Sequence, residues 1–144
     1  MNKSDLIQKI ITHLRDALAA GTAAARAISA AATDPDSKAE NKYDTRNLEA
    51  SYLARGQAFR VAETMAALSE FELLTPRAFL PDQAIAEGAL VELRGADGTF
   101  YCFIGPSAGG TEITVDGSEV MVEKRGNGLN SLRAVRSPRW KSCP

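Results

Sequence analysis

Residues 33–46, Thr33-Asp34-Pro35-Asp36-Ser37-Lys38-Ala39-Glu40-Asn41-Lys42-Tyr43-Asp44-Thr45-Arg46, separate two long segments of helical periodicity. Asp34-Pro35 terminates the segment before it, because proline lacks the N–H that a helix ladder uses and pushes its predecessor out of the α region. Ser37-Lys38-Ala39-Glu40 then has the form of a capping box, which starts the next helix. The stretch predicts an antiparallel hairpin of two helices with an acidic tip at about residues 33–40.

Upstream of the tip, Ser4 is a candidate N-cap and Asp5 suits the positive end of a helix dipole. Ile7, Ile11, Leu14, Leu18, Gly21, Ala25 and Ile28 alternate four and three apart, the period of a coiled-coil seam, so a helix is expected to about residue 31. The half nearer the tip, AAGTAAARAISAAA, is built of small residues that allow close approach and bury little area per turn. His13 lies beside the seam and reads as an ordinary exposed or half-packed histidine.

Downstream, residues 38–73 are again helical in pattern, with Leu48, Tyr52, Phe59, Ala62 and Ala66 as the expected stripe. Leu53, Val61, Met65 and Leu68 thicken one flank. Arg55 falls on the stripe where a seam favours an apolar residue, which implies either a snorkelling side chain or an irregularity near Gly56. Helices of about 27 and 35 residues would each span roughly 40–50 Å. That is longer than a compact four-helix packing requires, and it favours a projecting arm.

Pro76 and Pro81 break the helical period, dividing the chain into a helical hairpin at 1–75, a linker at 76–82 and a small β domain at 83–144. Ala89–Leu93, Thr99–Ile104, Thr111–Val115 and Val120–Glu123 have strand character, with turns at Gly95-Ala96-Asp97-Gly98 and Asp116-Gly117. The expected class is α+β, with the strands in an antiparallel meander. From about Lys124 the sequence becomes basic and irregular. Some 60 residues are marginal for an independent core, so the sheet is expected to lean on the base of the hairpin.

Composition narrows the functional classes. A net charge of −1 over 144 residues argues against bulk electrostatic binding of nucleic acid. No apolar run approaches the roughly 20 residues that span a bilayer, and the N-terminal residues carry no signal-peptide core, so a soluble, cytoplasmic protein with no membrane partner is expected. Cys102 and Cys143 do not form a disulfide framework and read as reduced thiols. One histidine, with no CxxC or HxxxH spacing, supports no stably bound metal.

The tip residues Asp36 and Glu40-Asn41-Lys42-Tyr43-Asp44, together with Phe103-Ile104-Gly105-Pro106 in the strand region, resemble the Gre factors, bacterial transcript-cleavage and elongation factors. The likeness covers the order of elements over about residues 1–122. It implies a coiled coil inserted into the secondary channel of RNA polymerase and an FKBP-like C-terminal domain at the channel rim. It also implies a protein that is not itself an enzyme, whose tip carboxylates help hold the second Mg²⁺ of the polymerase's own active site. Two-metal hydrolysis of a phosphodiester needs that ion held close to the first. Mg²⁺ keeps several waters, so one or two delivered carboxylates suffice. Asp36 and Glu40 are the candidate pair.

With Tyr43-Asp44 setting the register, Asp36 matches the family's aspartate, whereas the glutamate position holds Ala39 and Glu40 comes one residue later. One residue is about 100° of rotation on a helix. Glu40 therefore has two readings, a metal-recruiting carboxylate or the third residue of the Ser37 cap. Lys42, Arg46 and Arg55, with Arg26 on the first helix, are candidates for contact with nascent RNA or the polymerase channel, or else form a solvated face with Glu49 as a partner for Arg46. Tyr43 either stacks on a base or packs across the turn. After Glu123 the family's continuation is missing, which marks a diverged or truncated tail and an exposed sheet edge. Three alternatives stand beside cleavage stimulation: a channel-binding regulator without cleavage activity, a generic dimerising coiled coil, and a prolyl isomerase. The isomerase needs a convergent aromatic pocket that Phe100, Tyr101 and Phe103 do not supply by alternation.

Overall fold

A computed structural model describes residues 2–33, 46–80, 83–95, 98–124 and 126. Two helices precede four strands: α1 Lys3–Thr33, α2 Arg46–Leu73, β1 Leu90–Gly95, β2 Gly98–Gly105, β3 Glu112–Val115 and β4 Ser118–Lys124. The class is α+β. The chain divides into two compact units, one built on residues 1–13 and 67 onward, the other on residues 14–66.

The cap of α1 is Asn2, two residues before the expected Ser4. The side-chain oxygen of Asn2 accepts the N–H of Ser4 at 2.9 Å, and the Asn2 carbonyl accepts the N–H of Leu6 at 3.1 Å. Asparagine is as good an N-cap as serine, and here it stands first. The helix runs 31 residues to Thr33, directly before Asp34-Pro35. Helix α2 is described from Arg46, so its expected start near residue 38 lies outside the described residues. It continues through Gly56 without a break for 28 residues, which removes the irregularity considered there.

The sheet is mixed, not the antiparallel meander that the turn spacing suggests. Its order is β1-β2-β4-β3, with β1–β2 and β3–β4 antiparallel and β2–β4 parallel. The reason lies in which strand is more apolar. Val120 and Val122 of β4 are fully buried, whereas β3 is short and alternates buried Ile113 and Val115 with exposed Glu112 and Thr114. Placing β4 beside β2 gives the more buried strand two neighbours and leaves the more polar one at the edge. Residues 106–111 make this rearrangement possible, with Ala108 and Gly110 at φ of 56° and 85°. The β3–β4 turn is tight: Asp116 and Gly117 both have positive φ, the geometry of the two-residue type I′ hairpin.

In the first unit the base of both helices covers one face of this sheet. Leu6, Ile10, Phe71, Phe103, Val115, Val120 and Val122 are fully buried. The rings of Phe71 and Phe103 sit 6.4 Å apart, and Lys9 donates through Nζ to the carbonyl of Thr114 at 3.1 Å. Gly105 is where the packing is tightest. A Cβ there would stand 2.7 Å from the Phe71 ring and 3.1 Å from Val122, so only glycine lets α2 settle on the sheet. On the other face Ala89, Val91, Cys102 and Ile104 form a second cluster, closed by Phe79, Ile85 and Leu93. The approach to Phe79 is tied down by two cations over its ring, Lys3 Nζ at 5.0 Å and Arg77 Cζ at 4.4 Å from the centroid. The buried Lys3 also donates to the Arg77 carbonyl at 2.6 Å.

Candidate functional site

Of the residues nominated on sequence, Asp36, Glu40, Lys42 and Tyr43 lie outside the described residues. Arg46 opens α2, and Arg26 and Arg55 are exposed on α1 and α2. What is described of the helical unit that carries them is residues 14–33 and 46–66.

Its α1 face is the expected one. Leu14 is buried, and Leu18, Gly21, Ala25 and Ile28 are half-buried in the same four-three succession. The opposing face of α2 is not. Ala54, Gln57, Val61 and Thr64 are the half-buried positions, and a Cβ on Gly21 would lie 3.2 Å from Val61 Cγ2. The two helices pair antiparallel, α1 contributing Leu14, Leu18 and Ile28 with small residues between them and α2 contributing only Val61 beside small and polar residues. The seam hydroxyls of Thr22 and Thr64 are satisfied within their own helices, by the carbonyls of Leu18 at 2.7 Å and Arg60 at 2.9 Å.

Leu48, Tyr52, Phe59, Ala62 and Ala66, the expected core stripe, are exposed, as are the flanking Leu53 and Met65. Of the residues read as stripe or flank, only Val61 and Leu68 are half-buried. Fully buried Phe71 stands in the same three-four succession as Leu68, Thr64, Val61, Gln57 and Ala54, one continuous face of the helix. The Leu48 stripe lies about half a turn round the helix from that face. The signal that could have revealed it was Phe71 itself, a large aromatic five residues before Pro76 and out of phase with Tyr52 and Phe59.

The outward face of α2 therefore holds two aromatic rings, a leucine and the Arg55 guanidinium, a combination suited to apolar surfaces or planar bases and not to proton transfer. Among the described residues no group of three His, Cys, Asp or Glu side chains converges on a metal position. Phe103 is buried under the helices, Tyr101 is half-buried and Phe100 is exposed, so the three rings do not line one pocket. Burial, assisted by the negative charge of Glu123, pushes the Cys102 thiol up to about 11. A thiol held so far above neutrality is a packing group, not a nucleophile. No helix among the described residues is long and apolar enough to cross a membrane. Set beside protein-family models, curated proteins and solved structures, the chain matches none of them.

Proposed function

We propose that the chain is a Gre-like factor that binds RNA polymerase, enters its secondary channel with the helical hairpin and presents the segment between α1 and α2 to the polymerase active site. The observation that supports this is the helical unit. Helices of 31 and 28 residues, each roughly 40–45 Å long, form an antiparallel pair that is compact in its own right from residue 14 to residue 66. A core element would surrender both faces to the rest of the domain; this pair keeps its own narrow seam.

In this reading the protein has no catalytic centre. Asp36, with Glu40 as the second carboxylate, recruits the loosely held Mg²⁺ of the polymerase, and the polymerase performs the hydrolysis. Arg55 on α2, with Lys42, Arg46 and Tyr43 nearer the tip on sequence, are the candidates for contact with the channel wall or nascent RNA. The one-residue displacement of Glu40 from the family's glutamate favours a second reading, a channel-occupying regulator that does not stimulate cleavage.

Stalled, backtracked elongation complexes separate the two. Wild-type protein is expected to shorten the transcripts, with Asp36→Ala lowering the rate by at least about tenfold, the scale of losing a metal-recruiting carboxylate. If Glu40→Ala matches it, Glu40 is the second carboxylate; if it retains full activity, Glu40 is the cap of Ser37. Binding to polymerase without shortening supports the regulator, and absence of binding rejects both.

A further inference from the structure

We infer that the outward face of α2 is a self-association surface, on which two copies of this chain pair through Leu48, Tyr52, Arg55, Phe59, Ala62 and Ala66 in antiparallel register. This does not rest on the polymerase reading; self-pairing and channel contact would both use Arg55 and so exclude each other on one copy, and every residue involved lies within one compact unit.

The first argument is area. Leu48, Tyr52 and Phe59 are 56%, 65% and 64% exposed, which amounts to roughly 440 Å² of largely apolar surface per copy. Two copies, with the stem of Arg55 and the methyl groups of Ala62 and Ala66, remove about 1,000–1,200 Å², at the lower limit for specific interfaces. Single exposed leucines need no explanation, but a helical stripe of this extent does.

The second argument is complementarity, and it selects the occupant. The six positions alternate four and three apart, a second coiled-coil seam on the side of α2 opposite the one that faces α1. Large residues fill its first half and small residues its second. A reversed copy therefore sets Leu48 against Ala66 and Tyr52 against Ala62, so that each bulky side chain meets a methyl group and the helix spacing stays even. At the centre Arg55 meets Phe59 of the other copy, where a guanidinium over a ring replaces the apolar contact that a seam otherwise requires. A parallel pair has none of this: Tyr52 would face Tyr52 and the alanines would face each other across a gap. Gly56 beside the two-fold has no atom within 4 Å of a would-be Cβ, which leaves room for the second backbone. Glu49 and Glu63 stay at the rim, where solvent screens them.

Sedimentation equilibrium of the full chain at tens of micromolar is expected to give a mass of about twice the monomer's 15.4 kDa. Phe59→Glu on the bulky half and Ala62→Glu on the small half should each weaken the dimer by about 100-fold or more, since either buries an unpaired charge. Both positions are exposed within the chain, and unchanged far-UV circular dichroism checks that the helices persist. Register is read with Cys143→Ser protein: an oxidised mixture of Leu48→Cys and Ala66→Cys chains should cross-link, and neither variant should do so alone. A monomer at every concentration, a dimer indifferent to both glutamates, or self-cross-linking of Leu48→Cys would overturn the proposal.

Discussion

The two compact units are held together by different amounts of the same force. In the sheet unit the core is built of large side chains that are fully buried, from Leu6 and Ile10 through Phe71 and Phe103 to Val120 and Val122. In the helical unit Leu14 is the only buried residue among those described, and the rest of the seam is half-exposed, Leu18 and Ile28 together with glycine, alanine, glutamine, threonine and valine. Buried apolar area is the main stabilising term in folding, so stability is concentrated at the sheet end. The helical unit leaves Tyr52 and Phe59 exposed. A segment that spends its apolar side chains on its own core cannot offer them to a partner, and this one has not spent them.

Phe71→Ala should break that contrast most severely. It empties the joint between α2 and the sheet and is expected to cost about 3–5 kcal/mol, the usual range for a large aromatic removed from a core. Urea denaturation followed by far-UV circular dichroism checks the shift in midpoint. Gly105→Ala attacks the same joint from the sheet side. The added methyl group would stand 2.7 Å from the Phe71 ring, and a loss of about 1–3 kcal/mol is expected by the same measurement. A companion Phe71→Leu change, by removing the ring atom that clashes, should recover part of it. Neither result would follow if Ile104-Gly105-Pro106 were kept for a partner instead of for packing.

Alkaline titration gives a smaller effect confined to the sheet unit. The fold holds the Cys102 thiol protonated up to about 11, above the range of an unfolded cysteine near 8.5–9. Below that range the difference contributes its full stabilisation; as pH rises from about 9 to about 11 the unfolded chain alone loses the proton, and stability declines. In Cys143→Ser protein, thiolate absorbance at 240 nm should rise only near pH 11, and the thiol should resist alkylation at neutral pH. Smallest of all should be Val61→Ala in the helical seam. The side chain is half-buried against a glycine, and its loss is expected to cost about 1 kcal/mol or less, measured by the same urea series. A cost near that of Phe71→Ala would refute the uneven distribution of stability.

The candidate site was legible in part. The α1 seam from Ile7 to Ile28 can be read directly, because a helix presents its four-three positions on one side whatever packs against them. The face of α2 cannot, since that helix carries two stripes of opposite sense and the sequence stripe with the larger residues is the one left outside. Arg55 was a sign of this: a cation in the middle of an apparent core stripe fits an outward face. The tip residues are named on sequence and on family likeness, and their test is the cleavage assay.

Sequence alone determined what is local. Asp116-Gly117 closes a tight hairpin. Alternating apolar residues mark the strands, and heptad spacing marks the face of α1. These depend on backbone sterics and on periods of 2 and 3.6 residues that any reader of the chain can count. Tertiary structure decided which face of α2 turns inward and which strand takes the interior of the sheet. Both choices depend on burying distant groups together, Phe71 on Phe103 and Val122 beside β2, and no local period records which of two apolar surfaces will be chosen.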